Sequence, residues 1–371
     1  MSFHQRYEFL AIDRPLQPDE LAAARKISSH ATVTPTRFAA SYDWGDLRGD
    51  PDDMLRRWYD LHLYRSSNGA RLVVKLPAGV LDSTAVDVFD VGELQSFETN
   101  GESLLVSWRL EDDDSGGWIN DDEVTAEVDG FIAVRAALLR GDLRPLYVGW
   151  LAGIEGLEDE DIEPPVPPGL GAADDPSADL ARFLGVDDHL LAAAAETSAR
   201  LDVKQERKQL LAWLSTVPVE EKDAALASFL GHGDSKAQGE LQQRLASWGR
   251  TRSAAKKAQP PRTVAELTDR AQVLALQCAK ADAERKAAAR AAHLDAVAAA
   301  AAKLWTDMAR LAEDRSQSGQ QLAITRLRDL RDAADKHGKR PEFDMKLAAF
   351  VGGLRPTRVL YQRIKQAGML P

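Results

Sequence analysis

Hydrophobic positions recur along this chain with two different periods, and the change of period divides it. Up to about residue 157, short apolar runs of strand length alternate with turn residues and brief helical stretches. Tyr7–Asp13 (YEFLAID) reads as a strand, and Pro18-Asp19-Glu20 opens a helix through Ser28. Thr32–Trp44 mixes β-branched and aromatic residues and reads as one strand or two. Asp50-Pro51 supplies a cap and a first-turn proline for a second helix, along which Leu55, Trp58, Tyr59, Leu61 and His62 keep helical spacing. Arg71–Leu76 is a strong strand. Leu94–Thr99 and Glu102–Leu110 flank Asn100-Gly101, a hairpin signal. Helices follow at 123–139 and 145–154. Hairpins beside a few helices predict an antiparallel sheet with helices on one face.

After Ser177 the period is helical throughout. Short helices at 177–184, 187–199, 203–215, 219–230 and 236–248 predict a helical bundle. From Thr263 the pattern lengthens. Val264, Leu267, Ala271, Leu274, Cys278 and Ala281 step by three and four, and Leu294, Val297, Ala301, Leu304, Met308 and Leu311 do so in a shifted register. One helix over that span would run about 75–80 Å at ~1.5 Å per residue. With the stripe Ala323, Leu327, Leu330 and Ala334 it predicts a long coiled-coil hairpin, followed by helices at 342–351 and 356–367. The fold class is thus an α+β N-terminal domain followed by an all-α C-terminal half. Its segments are an α+β domain (1–157), an acidic Pro/Gly linker (158–176), a helical bundle (177–249), a basic linker (250–262), and the helical hairpin with C-terminal helices (263–371).

Charge sharpens this division. The net charge of −11 conceals 35 acidic and 15 basic side chains in residues 1–180, against 13 and 24 in residues 250–371. Such a split suits contact with the chain's own other end, with a second copy, or with a polyanion at the basic end. No apolar run reaches the length of a membrane span, the first residues lack a secretory pattern, and the single cysteine, Cys278, cannot form an internal disulfide. The expectation is a cytoplasmic protein with no membrane partner.

Candidate chemistry is sparse. Gly231–Lys236 (GHGDSK) lacks the phosphate-loop spacing and falls between helices. Asp112–Glu123 fills five slots of a calcium loop with Asp112, Asp114, Gly117, Ile119 and Glu123, but Gly116 stands where a donor is wanted and a strand precedes it. The dense acidic composition accounts for the match as a solvated loop. The seven histidines show no zinc spacing, His62 is placed on a helix face, and Cys278 on an apolar stripe. No cofactor or metal site is expected, and no catalytic residue is assigned. Arg14, Arg37, Trp44, Asp46 and Arg48 gather at strand ends, where Arg and Trp serve recognition. The competing structural reading puts Arg37 and Asp46 in ion pairs and Trp44 as a cap on the core. For nucleic acid the candidates are Arg250, Arg252, Lys256, Lys257 and Arg262, with no interleaved aromatics and hence at most backbone contacts.

The phrases YEFLAIDRPL (7–16), TPTRFAASYDWGDLRGDP (34–51), LLRGDLRPLYVGWL (138–151) and EPPVPPGL (163–170) resemble a family of bacterial hypothetical proteins. The resemblance covers roughly the first 170 residues and implies no activity, cofactor or substrate. The residues themselves point to a non-enzymatic interaction or scaffold component of a multi-protein system, whose partner is another protein or a second copy through a coiled-coil contact. A nucleic-acid accessory factor using the basic helices is the alternative. A metal-dependent enzyme at the acidic N-terminal domain is a further one.

Overall fold

The structure is a computed structural model. It describes residues 4–111, 120–201, 203–232, 261–313, 316–355 and 359–369, together with 241, 244, 245 and 248. Two compact units emerge, Met1–Ala275 and Leu276–Pro371. The boundary between these units falls within a helix.

The N-terminal unit is organised by one antiparallel sheet of seven strands, in the order β2-β3-β1-β4-β5-β7-β6. Its elements along the chain are β1 (Gln5–Leu10), α1 (Pro18–Ile27), β2 (Thr32–Val33), β3 (Arg37–Tyr42), α2 (Pro51–Trp58), β4 (Leu61–Ser66), β5 (Gly69–Pro77), α3 (Ser83–Val86), β6 (Gln95–Asn100) and β7 (Ser103–Glu111). Then come α4 (Asp121–Leu139), α5 (Arg144–Ala152), α6 (Ala178–Phe183), α7 (Asp188–Ala195), α8 (Val203–Leu214), α9 (Val219–His232) and α10 (Val264–Ala299). Asp50 caps α2 by accepting from the Asp52 and Asp53 amides, with Pro51 at the first helical position. Gly101, at φ +59°, supplies the positive backbone angle that the β6–β7 hairpin requires.

Two sequence expectations change here. The helix around Leu55 stops at Trp58, and Leu61 and His62 belong to β4, which pairs with both β1 and β5. Helices also cover both faces of the sheet, because alternate residues of its central strands are apolar on either side. Leu72, Val74 and Leu76 of β5 face α4 and α5, whereas Val73 and Leu105 join Phe9, Phe38 and Tyr59 beneath α1 and α2.

Residues 158–176 pack on this core instead of spanning open solvent. Leu170 is buried, and Glu163 accepts two hydrogen bonds from Arg262, each of 2.7 Å. Glu163 N also donates to Arg262 O and Val264 N to Asp161 O, so the acidic segment and the start of α10 are held together by backbone bonds. A capping box formed by Thr263 and Glu266 starts α10.

The two apolar registers read along 263–311 serve two different cores. Val264, Leu267 and Ala271 are buried in the N-terminal unit's core, while Leu294 and Val297 belong to that of the C-terminal unit. Between them, residues 276–293 are exposed or half-buried, and Cys278 is exposed rather than on a covered stripe. Alanine content and local pairs such as Asp282 with Arg285 at 2.7 Å support helix there. The helix ends at Ala299. The C-terminal unit continues with α11 (Ala301–Glu313), α12 (Gln317–Lys336), α13 (Arg340–Gly352) and α14 (Val359–Gln366). Met308, Leu327, Leu330, Phe343, Leu347 and Ile364 form its core.

Candidate functional site

The strand-end residues singled out in the sequence fall into three settings. Arg14 forms a two-bond ion pair with Glu20 (2.6 and 2.7 Å), whose second task is to accept from the Gln17 amide at the start of α1. The Arg14 hydrogen bonds draw the Glu20 carboxyl down to about 2. Arg37 reaches Glu8 at 3.3 Å and also pairs with Asp129 of α4. It is therefore part of the polar seam on which α4 docks. Glu8, fully buried, accepts from Arg6, Arg37 and Thr125, while Asp121 accepts from Arg6 and Ser41.

Trp44 and Asp46 occupy the third setting, the loop after β3. Among the described residues Asp46 makes no ion pair. Its carboxylate accepts from the Tyr7 hydroxyl at 2.6 Å and from the Leu47 amide at 2.7 Å. Gln5 donates to Gly45 O, and the Tyr64 hydroxyl donates to Gln5 Oε1 at 3.0 Å. At the loop's start, His4 contacts Asp43 at 2.8 Å. Burial, and then the Asp46 carboxylate, push the Tyr7 hydroxyl far above its ordinary value, which keeps it a proton donor. Beneath this loop Tyr7, Tyr42 and Tyr64 pack ring on ring, and His62 stacks on Phe9 at 4.0 Å. Burial lowers the His62 pKa to about 4, so the ring is neutral, and its Nδ1 hydrogen-bonds with Glu8 O.

Trp44 itself is 78 % exposed. It does not cap the core. The geometry is that of a large amphipathic ring held out from a loop whose neighbours are tied to the sheet. Such a ring loses little conformational freedom on contact, a property of interface anchor residues.

Two further polar clusters were not visible in the sequence. Arg135, almost fully buried on α4, donates two bonds to Asp13 and one to Lys75 O, beside Asp60. Asp60 in turn accepts from the Ile12 and Asp13 amides. Tyr147 donates to Glu163, the partner of Arg262. Every group in these clusters has its partner supplied by the chain, and the bonds of Arg135 and Arg262 to Lys75, Asp13 and Glu163 bridge residues 60 to 122 positions apart, which no local spacing rule detects.

Among the nucleic-acid candidates, Arg262 is engaged with Glu163 and with Ala193 O. Arg250, Arg252, Lys256 and Lys257 lie outside the described residues, as do residues 112–119 of the acidic loop and 233–236 of the Gly231–Lys236 segment. Among the described residues no group of three or more His, Cys, Asp or Glu side chains is placed to hold a metal ion, and no helix is long and apolar enough to cross a membrane. Comparison with protein-family models, with curated proteins and with solved structures gives no match for this chain.

Proposed function

We propose that the chain is a non-enzymatic interaction protein in which the N-terminal unit binds another protein and Trp44 is the anchor. The observation that carries this reading is the contrast at the loop: a ring 78 % exposed, between residues fixed by Tyr7, Gln5 and His4. Truncation of a central Trp at an interface costs ~2 kcal/mol or more, a factor of about 30 in affinity. The exposed run of α10, with Cys278 and Ala281 of the apolar stripe uncovered, is the place for the coiled-coil contact with a second copy or a partner helix that the apolar period suggests. The alternative, contact with a nucleic-acid backbone, draws on the C-terminal unit, where residues 276–371 carry 18 basic against 11 acidic side chains.

The test is affinity purification of the tagged full-length chain from its native host, with and without nuclease, beside Trp44→Ala. A stoichiometric protein partner that survives nuclease and is lost from Trp44→Ala, with an unchanged melting curve, is the expected result. Retention of that partner by Trp44→Ala overturns the anchor. Removal of bound material by nuclease replaces the reading with the nucleic-acid one.

A further inference from the structure

Two independent features meet at the far side of the sheet from the Trp44 loop. The first is an open edge. In the β6–β7 hairpin Asn100 faces Ser103, Glu98 faces Leu105 and Ser96 faces Ser107, and Arg109 N donates to Leu94 O at 2.8 Å. Bonded and non-bonded pairs alternate along an antiparallel ladder. Residues 94, 96, 98 and 100 therefore direct their backbone groups at β7, while Gln95, Phe97 and Thr99 direct theirs away from it; Gln95 is fully buried, so the open stretch of the edge is residues 96–100. Among the described residues no strand lies beyond β6.

The second feature is a cavity of about 580 Å³ on the same margin. Phe97 and Thr99 line it, with Val80, Leu81, Val86 and Leu143. Phe97 and Thr99, the residues of the open stretch with outward backbone groups, thus also line the cavity. Any strand added to β6 would place alternate side chains over this recess, since residues opposite one another share a face.

Charge selects the occupant. Residues 76–108 contain six carboxylates and no Lys, Arg or His. Asp82 and Asp87 stand on the cavity wall, and Glu98 lies on the edge strand itself, 2.8 Å from Arg56. Beyond Gln95, which is covered, β6 has no Lys, no Pro and no bulge, devices that ordinarily close an edge. The opposite edge, β2, is only two residues long.

We infer that β6 receives an extended cationic segment of a partner protein as an eighth strand, with two apolar side chains of that segment over the Phe97–Thr99 recess and Lys or Arg residues beside the carboxylates. The inference rests on the reading of the chain as an interaction protein and adds the partner's chemistry at a second surface.

Three capped heptapeptides test it on the full chain, by fluorescence anisotropy and by hydrogen exchange read by mass spectrometry. One alternates Lys and Val, the second alternates Glu and Val, and the third is the Lys peptide with its central Val replaced by Pro. The Pro peptide keeps the charge but breaks the ladder. Binding of the first alone, with slowed exchange over 94–100 and at least tenfold weakening by Thr99→Lys, is expected. Equal binding of the Pro peptide reduces the effect to charge and overturns the strand. Absence of binding, or protection elsewhere in the chain, overturns the site. Thr99 is exposed, so Thr99→Lys should melt like the parent. Failure of the peptides while the Trp44-dependent partner is still retained removes the edge and leaves the interaction reading intact. Loss of the partner with peptide binding preserved does the reverse.

Discussion

The two units place their charges in opposite ways. In the N-terminal unit Glu8, Asp60, Arg135, Arg144 and Glu163 are buried, each with its counter-charge or hydrogen-bond partners supplied by the fold. In the C-terminal unit the pairs lie on the surface: Arg290 with Asp329 and Asp332, Lys336 with Asp295, Arg340 with Asp335 and Asp344. The physics differs accordingly. A buried pair gains little over an apolar replacement, yet losing one partner strands a charge away from water. A surface pair is screened and can be removed at small cost. The N-terminal unit therefore has a brittle interior that fixes which strand meets which helix. The C-terminal unit is held mainly by its apolar seam of Met308, Leu327, Leu330 and Phe343.

Breaking one buried pair should give the largest effect. Glu163→Ala leaves Arg262 and the Tyr147 hydroxyl without their acceptor, and should destabilise the N-terminal unit by about 3–5 kcal/mol in urea denaturation. A loss below about 1 kcal/mol would mean that water reaches Arg262 and that the contrast between the units is false.

Next in size is a pH effect from His62. Its folded pKa of about 4 lies below the ordinary value of 6.5, so the unfolded chain takes up the proton first. The contribution is fully present above pH 6.5 and is lost as pH falls toward 4, by about 3 kcal/mol in all. Glu20, drawn down to about 2, acts mainly below pH 4.5 and does not obscure this window. Replacing the imidazole by a ring that cannot titrate, in His62→Phe, should flatten stability between pH 6.5 and 4.5; an unchanged slope would place its origin elsewhere. The smallest effect belongs to the C-terminal unit. Arg290→Ala removes its pairs with Asp329 and Asp332, and the thermal midpoint should move by less than about 3 °C.

The same contrast explains what the sequence made legible. Strands announced by β-branched runs or by Asn100-Gly101 are found near the expected positions, as are the proline-led helices, because those signals are local. β4 was missed because Leu55, Trp58, Tyr59, Leu61 and His62 keep a helical step across the end of α2, and because a buried His is not read as a strand residue. Residues 158–176 looked like a spacer because Pro and Gly dominate, whereas Glu163 is held by a cation 99 positions away. Along α10 the apolar period predicted a helix correctly and said nothing of which surface each turn meets. At the candidate site, Trp44 and Asp46 were visible as residues near strand ends. Their division of labour was not, since the Tyr7–Asp46 bond spans 39 positions.

Gly149 of α5 has a consequence for the history this chain can have. A Cβ built there would lie 1.9 Å from Gln95 Oε1 and 2.4 Å from Trp108 Nε1. Gln95 is the buried hub that accepts from Trp108 and donates to Phe89 O and Leu146 O, joining β6 to β7, to the turn before it and to α5. Any first substitution at position 149 displaces the hub, and a first substitution at position 95 strands the indole nitrogen. The three positions form an epistatic unit in which order of change matters. A lineage can cross from one solution to another only by way of a weakened intermediate, so the trio should drift together or stand still.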